Sequence, residues 1–212
     1  MSNSKVSLPV IRRLPRYFRY ITELKSAGKS RVSSSQLADL MGSTPSQVRQ
    51  DFNCFGGFGQ QGIGYSVDLL HDEISHLLFP NDNINAVLVG AGSLGATIAN
   101  FVLNEAEGVN LTAIFDNNIN LVDKTLHNIK ILNSDTIVEY CQQNKVDLII
   151  MCIPKSSAEK FAPTLIKTNV KGVWNFTHYD FSIIDKSLIV ENVHLRDSLM
   201  ALSYRINHAE EE

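Results

Sequence analysis

NAVLVGAGSLGATIANFVL, residues 85–103, joins a short apolar run to a glycine cluster and then to a helix-like segment. The run at 86–89 predicts a buried strand, and the segment after the glycines predicts a helix. GxGxxG alone is a weak signal, but here it has the preceding strand and following helix that a dinucleotide-binding turn requires. Such glycines allow the tight turn, the approach of a pyrophosphate to backbone N–H groups and close helix–strand packing. The predicted pyrophosphate-binding residues are Gly90, Ala91, Gly92, Ser93, Leu94 and Gly95.

A second apolar run, NLTAIFD at residues 110–116, predicts a strand that ends in Asp116. Asp116 follows Gly90 by 26 residues, the distance expected for the acid that binds a ribose hydroxyl in dinucleotide-binding folds. Asn117 and Asn118 come next with no arginine nearby, so a 2′-phosphate would meet a carboxylate and no cation. The sequence therefore predicts NAD(H) rather than NADP(H). The alternative is that Asp116 is a solvated strand end.

The alternation of strands and helices continues to residue 193. Strands at 146–154, 172–176 and 187–193 and a helix near 156–168 predict a doubly wound parallel sheet with right-handed crossovers. Ligands lie at the carboxyl ends of such strands, although a single residue in such a position is more often just a strand end. Two groups are therefore predicted near the adenosine and the nicotinamide, respectively: Cys152, Ile153 and Pro154, and Asn175, Phe176 and Thr177.

The first third of the chain is basic, whereas the rest is acidic. Residues 1–65 hold nine Lys and Arg against three Asp and Glu, and the remaining residues hold ten against nineteen. This asymmetry indicates a segment that faces a polyanion, although a solvated charged surface has the same composition. Residues 10–24, VIRRLPRYFRYITEL, predict an amphipathic helix that Pro15 could kink. Its polar side carries Arg12, Arg16 and Arg19.

Two short helices joined by a turn that contains glycine follow, which is the helix-turn-helix arrangement. The serines at 33–35 can cap a helix at 36–41 that Gly42 ends, and Thr44 and Gln47 form a capping-box pattern for the next helix. That helix buries an apolar face, Val48, Phe52 and Phe55, and presents side chains that hydrogen-bond base edges and phosphates. The pattern favours DNA recognition over an ordinary polar surface. The candidate DNA-binding residues are Ser46, Gln47, Arg49, Gln50 and Asn53, with Arg12 and Arg16.

GGFGQQGIGY, residues 56–65, directly follows the predicted recognition helix and reads as a tight hairpin, the wing of a winged helix. Glycine suits a wing tip because the chain turns sharply and approaches DNA closely there. Gly59, Gln60 and Gln61 are predicted at the tip, in reach of phosphate or the minor groove. A second nucleotide loop is excluded because no apolar strand precedes these glycines.

Three regions are predicted from these patterns. Residues 1–79 form a winged-helix DNA-binding domain with a linking helix at 66–79, and the turn at 80–83 separates it from a Rossmann domain at 84–193. Residues 194–212 hold a C-terminal helix with apolar side chains at helical spacing. A protein that reads a palindrome needs two copies, so this helix is predicted to form a homodimer contact rather than to cover its own domain.

The remaining features exclude several classes of protein. No apolar run is long enough to span a membrane, and the N-terminus has arginines where a signal peptide needs an apolar stretch, so a cytoplasmic protein is predicted. Three unpaired cysteines argue against disulfides and a metal site. No Tyr-x-x-x-Lys pair or hydrolase motif is present, so a non-enzyme is predicted in which the dinucleotide is a signal. One alternative is an NAD-dependent reductase, and another is a thiol sensor that uses Cys54. The apolar, helical surroundings of Cys54 favour an ordinary packed cysteine over a sensor.

The run SQVRQDFNCFGGFGQQGIGY, with VGAGSLG, WNF and ENVHL, resembles the redox-sensing transcriptional repressor Rex family over nearly the whole chain. The resemblance implies homodimers with an N-terminal winged helix and a C-terminal Rossmann domain, whose last helix is exchanged between subunits. It also implies repression at palindromic operators, with NADH releasing the protein and NAD+ permitting binding.

The resemblance implies, in addition, a switch that joins an arginine, a tyrosine and an aspartate. These three positions fall on Arg19, Phe101 and His194, the last two being expected at the cofactor. Phe101 lacks the hydroxyl and His194 replaces the carboxylate, so the family's network cannot form as such. Either His194 uses another partner, or the two redox forms are discriminated differently.

Overall fold

Two units make up the chain in the computed structural model, residues 1–82 and 83–212, and each has its own hydrophobic core. The structure describes residues 6–55, 59–60, 64–79 and 83–209, and for residues 59 and 60 it gives the backbone alone. Gln61 of the predicted wing tip and most of the predicted turn at 80–83 therefore lie outside the described residues.

The described part of the first unit contains helices and short strands in the order of a winged helix. They are α1 (Leu8–Ser26), β1 (Arg31–Val32), α2 (Ser34–Met41), α3 (Pro45–Asn53), β2 (Gly59–Gln60), β3 (Gly64–Ser66) and α4 (Val67–Leu78). α1 continues through Pro15. The predicted helix-turn-helix is α2 and α3.

Local capping sets the ends of α2. The Ser33 side chain accepts a hydrogen bond from the Gln36 N–H, and the Gln36 side chain accepts one from the Ser33 N–H, so α2 begins two residues earlier than predicted. Gly42 ends the helix in the left-handed conformation, with φ of 60°. These two signals position the turn that leads into α3.

The strands form a three-stranded antiparallel sheet in the order β1-β3-β2. A Cβ at Gly64, where φ is +77°, would lie 2.7 Å from the Val32 carbonyl oxygen. This glycine therefore serves the close approach of β3 to β1 rather than an approach to DNA. The sheet completes the winged-helix fold, as predicted.

Aromatic packing holds α1, α3 and the sheet together. Tyr17 of α1 contacts Phe52 of α3 with ring centroids 4.9 Å apart, and Phe52 meets Tyr65 of β3 edge to face at 5.0 Å. Tyr17 and Phe52 are at most 1% exposed, and Val48 is fully buried. The apolar face predicted for the recognition helix is therefore the one that packs, with Phe55 partly buried beside it.

The second unit is a seven-stranded sheet with helices on both faces. Its elements are β4 (Ile84–Val89), α5 (Ser93–Asn104), β5 (Val109–Asp116), β6 (Thr125–Leu126), β7 (Ile129–Asn133), α6 (Ile137–Gln143), β8 (Leu148–Met151), α7 (Lys155–Ile166), β9 (Gly172–Asn175), β10 (Ile189–Asn192) and α8 (Leu195–Asn207). The strand order is β10-β9-β8-β4-β5-β7-β6, and all pairs except β6–β7 are parallel. The order reverses at β4, as in doubly wound dinucleotide folds, which confirms the predicted fold class.

Side chains of β4 alternate between two cores. Val87 and Val89 pack on the face covered by α6 and α7, whereas Ala86 and Leu88 pack on the face covered by α5. Because both faces are buried, the strand reads as a continuous apolar run. β4 is thus fixed at the centre of the sheet, with the glycine turn at its carboxyl end.

Candidate cofactor cleft and DNA-binding surface

The three glycines after β4 have different surroundings. A Cβ at Gly90, where φ is +103°, would strike the Cys152 carbonyl group, and a Cβ at Gly95 would overlap the Gly90 carbonyl oxygen. Gly92 differs because a Cβ there would meet nothing within 4 Å. Gly90 and Gly95 are therefore required by the protein's own packing, whereas Gly92 leaves open space.

That open space lies at the start of α5. Gly92 is the N-cap of the helix, and Ser93 and Leu94 in its first turn are exposed. The first N–H groups of a helix have no partner within it and carry the positive end of its dipole, so they attract an anion such as a pyrophosphate. The residues predicted from the glycine pattern thus lie together in one turn at the start of α5, and their binding of a pyrophosphate stays a prediction.

Asp116 lies at the end of β5 beside this turn. Its carboxylate accepts hydrogen bonds from the N–H groups of Ala91 and Asn118, each at 2.7 Å. Two N–H donors hold the side chain in place, and a carboxylate has lone pairs left to accept ribose hydroxyls. This fixed position argues against a merely solvated strand end.

A cleft of about 730 Å³ opens in front of Gly92 and Asp116, within the size range of nucleotide and drug sites. Cys152, Ile153 and Pro154, predicted near the adenosine, also line it. Burial raises the pKa of the Cys152 thiol to about 12, so this side chain is neutral at physiological pH.

One wall of the cleft is a face of α7 that the sequence reading missed. Its cleft-lining residues recur at helical spacing: Ser157, Lys160, Phe161 and Thr164. Lys167, the C-cap residue of α7, also lines the cleft. Their periodicity directly after β8 is the signal that could have identified them. The expectation that no cation lies near the ribose-binding acid is therefore wrong, because Lys160 and Lys167 line the same cleft as Asp116.

Two of the residues predicted at the nicotinamide have buried side chains. Asn175 is fully buried, donates to the Tyr179 carbonyl and the Asn192 side chain at 2.7 Å, and accepts from the Thr177 N–H and hydroxyl. Thr177 is only 2% exposed. These side chains hydrogen-bond to each other and shape the loop after β9, and their contact with the nicotinamide stays a prediction.

The exposed face of α3 carries most of the predicted DNA-binding residues. Ser46, Arg49, Gln50 and Asn53 are all exposed. The Arg49 guanidinium donates to the hydroxyls of Ser34 and Ser46, at 3.0 and 3.2 Å, which orients it across the α2–α3 surface. On α1, Arg12 and Arg16 are exposed, and Arg16 also donates to the Met41 carbonyl at the end of α2.

Gln47 does not present its side chain as predicted. Its amide donates to the Asp51 carboxylate at 2.8 Å, so only the Thr44 half of the predicted capping box forms, with the Thr44 hydroxyl accepting from the Gln47 N–H. Asp51, which the sequence reading passed over, is fully buried. It draws Gln47 inward because a buried carboxylate needs donors.

Arg13 and Tyr17 of α1 complete the partners of Asp51. The Arg13 guanidinium donates two hydrogen bonds to the carboxylate, at 2.6 and 2.8 Å, and the Tyr17 hydroxyl donates one at 3.0 Å. Burial alone would raise the pKa of Asp51, but the hydrogen bonds outweigh it and hold this pKa below its ordinary value. Burial and the bond to Asp51 raise the pKa of Tyr17 well above 10.

Three further predictions concern Cys54, metal binding and membrane spans. Cys54, expected to be packed, is exposed at the end of α3, and its thiol donates to the Gln50 carbonyl at 3.4 Å. Among residues 6–55, 59–60, 64–79 and 83–209, no group of His, Cys, Asp or Glu is placed to hold a metal ion. In the same part of the chain, no helix has the length and apolar character needed to cross a bilayer.

Known proteins match both units. Residues 5–53 match a family of putative DNA-binding protein N-termini, and residues 81–179 match the CoA binding domain family. Redox-sensing transcriptional repressors Rex from Thermoanaerobacter pseudethanolicus and Clostridium botulinum are each 44% identical, over 98% and 97% of this chain and 92% and 97% of theirs. This chain belongs to the Rex family.

Solved Rex-family structures agree with this assignment. The crystal structure of RSP in complex with β-NAD+ and operator DNA has a TM-score of 0.89 at 43% identity, over 98% of this chain and 95% of RSP. The structure of RSP in complex with β-NADH has a TM-score of 0.88 at 40% identity, over 98% and 97%. The resemblance inferred from the sequence motifs is thus confirmed, and the relatives' names agree with the prediction of a repressor rather than an enzyme.

The positions expected to form the Rex switch lie in both units. Arg19 is on α1, with its guanidinium 5.1 Å from the Tyr20 ring centroid. In the second unit, Phe101 packs 6.2 Å from Trp174, which contacts Phe176 at 4.6 Å. His194, directly before α8, stacks on His178 at 5.8 Å with the ring planes 9° apart. The pairing of these residues in a switch stays a prediction.

Proposed function

We propose that this Rex-family chain is a transcriptional repressor that senses the NADH/NAD+ balance, binds palindromic operators and is released from them by NADH. The observation that carries the proposal is that one chain joins a winged helix to a Rossmann unit whose Gly92 turn and Asp116 face a nucleotide-sized cleft. The RSP complexes with β-NAD+, β-NADH and operator DNA support it. The dinucleotide acts as a signal, and no catalytic role is assigned.

We propose that the cleft is the NAD(H) site. The pyrophosphate binds the N–H groups at the start of α5, and the Asp116 carboxylate accepts hydrogen bonds from the hydroxyls of the adenosine ribose. Cys152, Ile153 and Pro154 contact the adenosine half, whereas Phe176, Phe101 and His194 lie toward the nicotinamide. A 2′-phosphate would meet the Asp116 carboxylate at the ribose, so NAD(H) is the proposed ligand although Lys160 and Lys167 line the same cleft.

The DNA-binding surface is proposed on the first unit. α3 enters the major groove and reads base edges through Gln50 and Asn53, while Arg49 and Ser46 contact phosphates. Arg12 and Arg16 add phosphate contacts from α1, and the wing residues Gly59, Gln60 and Gln61 reach the adjoining backbone. The basic charge of residues 1–65 supplies the electrostatic attraction.

We also infer a homodimer in the cytoplasm, with α8 exchanged between subunits. Every residue of α8, Leu195–Asn207, is exposed. Its large apolar side chains are 51–66% exposed: Leu195, Leu199, Met200, Leu202, Tyr204 and Ile206. A contiguous apolar surface of this kind marks a protein interface. Two copies related by a twofold axis also match the symmetry of a palindrome.

One titration tests the sensing function. NADH binding and operator binding are thermodynamically linked. NADH should therefore weaken operator binding by the same factor by which operator DNA weakens NADH binding. We expect NADH to shift a labelled palindromic duplex to the free form at fixed salt, and NAD+ to leave it bound. An operator affinity that NADH leaves unchanged would exclude the proposal.

A further inference from the structure

Asp51 carries a charged carboxylate that is buried inside the first unit. It lies on the recognition helix α3, is fully buried, and receives hydrogen bonds from Arg13, Tyr17 and Gln47. An ionised carboxylate is costly to bury unless it is paired and hydrogen-bonded. Asp51 meets that condition by joining α3 to α1.

The geometry of these bonds constrains α3 in two ways. Arg13 and Tyr17 are four residues apart, so they lie one turn apart on the same face of α1. The guanidinium binds both carboxylate oxygens as a planar fork, which fixes the direction of approach as well as the distance. The apolar contacts of Val48 and Phe52 are non-directional, so they specify the rotation of the helix less strictly.

The same carboxylate also sets the direction of Gln47. The Gln47 amide donates to Asp51 at 2.8 Å and is drawn away from the exposed face on which Ser46, Arg49, Gln50 and Asn53 lie. Without Asp51, the Gln47 amide would be available to bond a base edge. The network therefore determines which side chains of α3 reach the groove.

We propose that Arg13 and Asp51 are positioning residues for operator recognition, which fix the rotation of α3 on α1 and keep Gln47 out of the base-reading set. The inference rests on the proposed DNA-binding function and adds residues that contact no base. Ion pairs of this kind can also serve stability alone, and that role makes a different prediction. If only stability is at stake, an apolar replacement of both partners should leave sequence discrimination intact.

The decisive variant is the double replacement Arg13→Met/Asp51→Leu, compared with the wild-type chain. It removes one positive and one negative charge, so net charge and non-specific attraction to DNA stay the same. Arg13→Lys is the second variant. It keeps the positive charge next to Asp51 but cannot form the planar two-bond fork.

Each full-length protein is titrated by fluorescence anisotropy against two duplexes. One is a duplex that the wild-type protein selects from a random-sequence library, and the other is a scrambled duplex of the same composition. NADH binding and the circular dichroism spectrum verify folding. We expect the double variant to bind the scrambled duplex as wild type does. Its ratio of affinity for the selected duplex to affinity for the scrambled duplex should fall about tenfold or more, the cost of one mismatched base pair. Arg13→Lys should lower the ratio in the same direction, by about threefold.

The outcomes separate the two claims. If the wild-type protein selects no sequence, the proposed function fails, whatever the variants do. If it does, and a folded double variant retains the wild-type ratio, Arg13 and Asp51 are structural only and the inference is overturned. Should the double variant not fold, Arg13→Lys decides, and an unchanged ratio in that protein overturns the inference equally.

Discussion

The Arg13 guanidinium binds the buried Asp51 carboxylate through two hydrogen bonds, at 2.6 and 2.8 Å, across the α1–α3 interface. The two residues are 38 positions apart in the chain, so the bond is tertiary rather than helical. It gives the recognition helix a charged attachment inside an otherwise apolar core. The stability of the first unit should therefore depend on the ionisation of Asp51.

Acid should weaken the first unit through Asp51. Its pKa lies below the ordinary value of 3.8 because hydrogen bonds from Arg13, Gln47 and Tyr17 outweigh the effect of burial. A carboxyl with a depressed pKa stabilises the fold above its unfolded-state pKa, and this contribution is lost as pH falls through the folded-state value. We expect the free energy of unfolding of wild type, relative to Arg13→Met/Asp51→Leu, to decline below about pH 4.

Urea titrations between neutral pH and pH 3, followed by NMR amide signals of α1–α3, measure that difference. Resolving the first unit matters because Asp147, Asp180 and Asp185 in the second unit also have lowered pKa values. Asp72, on α4, has a lowered pKa through His71 and Lys25, but it is present in both proteins and cancels. A difference that stays constant with pH would show that Asp51 ionisation is not the cause.

The hydrogen bonds of Asp51 show which features of α3 the sequence could not predict. Helical spacing correctly placed Val48 and Phe52 inward and Gln50 and Asn53 outward, because those positions follow from the period of one helix. Gln47 lies at the boundary of the two faces, and its direction is decided by Asp51. Asp51 in turn is buried only because Arg13, on another helix, supplies the counter-charge, and no local pattern reports such a pairing.

The second unit shows a similar limit. The strand–glycine–helix pattern predicted the turn after β4, and the spacing from Gly90 predicted Asp116 at the end of β5. The ligand roles of these residues stay predictions. The rule that ligands lie at strand ends singled out Asn175 and Thr177 at the end of β9 but could not give the direction of their side chains. They face inward because Tyr179 and Asn192 supply hydrogen-bond partners there.

Two glycines of the turn should respond differently to the same methyl group. In Gly92→Ala the new Cβ has open space in the protein and an ordinary extended backbone, with φ of −71°. Folding should be unaffected, but the methyl group occupies the position that a pyrophosphate approaches. We expect a loss in NADH affinity of roughly tenfold or more, measured by NADH fluorescence, with operator binding retained.

Gly95→Ala is the matched control, because its Cβ would overlap the Gly90 carbonyl oxygen. Overpacking of this kind should lower the free energy of unfolding by about 1–3 kcal/mol. Trp174, the only tryptophan, lies in the second unit and reports the transition by fluorescence. Equal loss of stability in both variants would contradict the assignment of Gly92 to the ligand and Gly95 to packing.

Asp116 should determine the preference for NADH over NADPH. Its carboxylate, held by the Ala91 and Asn118 N–H groups, would repel a 2′-phosphate, whereas Lys160 and Lys167, which line the same cleft, would attract one. Asp116→Asn keeps an acceptor for ribose hydroxyls but removes the charge. We expect the ratio of NADPH to NADH affinity to rise about tenfold, the equivalent of ~1.4 kcal/mol.

The lysines provide the control for that change. Adding Lys160→Ala and Lys167→Ala to Asp116→Asn should lower NADPH affinity more than NADH affinity and so reverse the rise in the ratio, because both dinucleotides carry the pyrophosphate but only NADPH has a 2′-phosphate. Calorimetric titration with both dinucleotides gives the ratios directly. A ratio that Asp116→Asn leaves at the wild-type value would remove Asp116 from the ribose site.

The apolar stripe of α8 should hold two copies of the chain together. Leu195, Leu199, Leu202 and Ile206 recur at helical spacing on one face, and each is at least half exposed. Leu199→Glu places a charge in the middle of this stripe, where its burial against a partner subunit would be costly. We expect monomers by size-exclusion chromatography with light scattering, together with a loss of cooperative binding to a palindromic duplex.

Ala201→Glu is the matched variant, since residue 201 is also exposed on α8 but lies off the Leu199 face. It adds the same charge to the same helix and should leave the dimer intact. If both variants were monomers, the cause would be general disruption of α8 instead of a lost interface. Dimers that survive Leu199→Glu would assign self-association to another surface. In that case the exposed stripe would have to pack within its own subunit, and hydrogen exchange in α8 would be the same at every protein concentration.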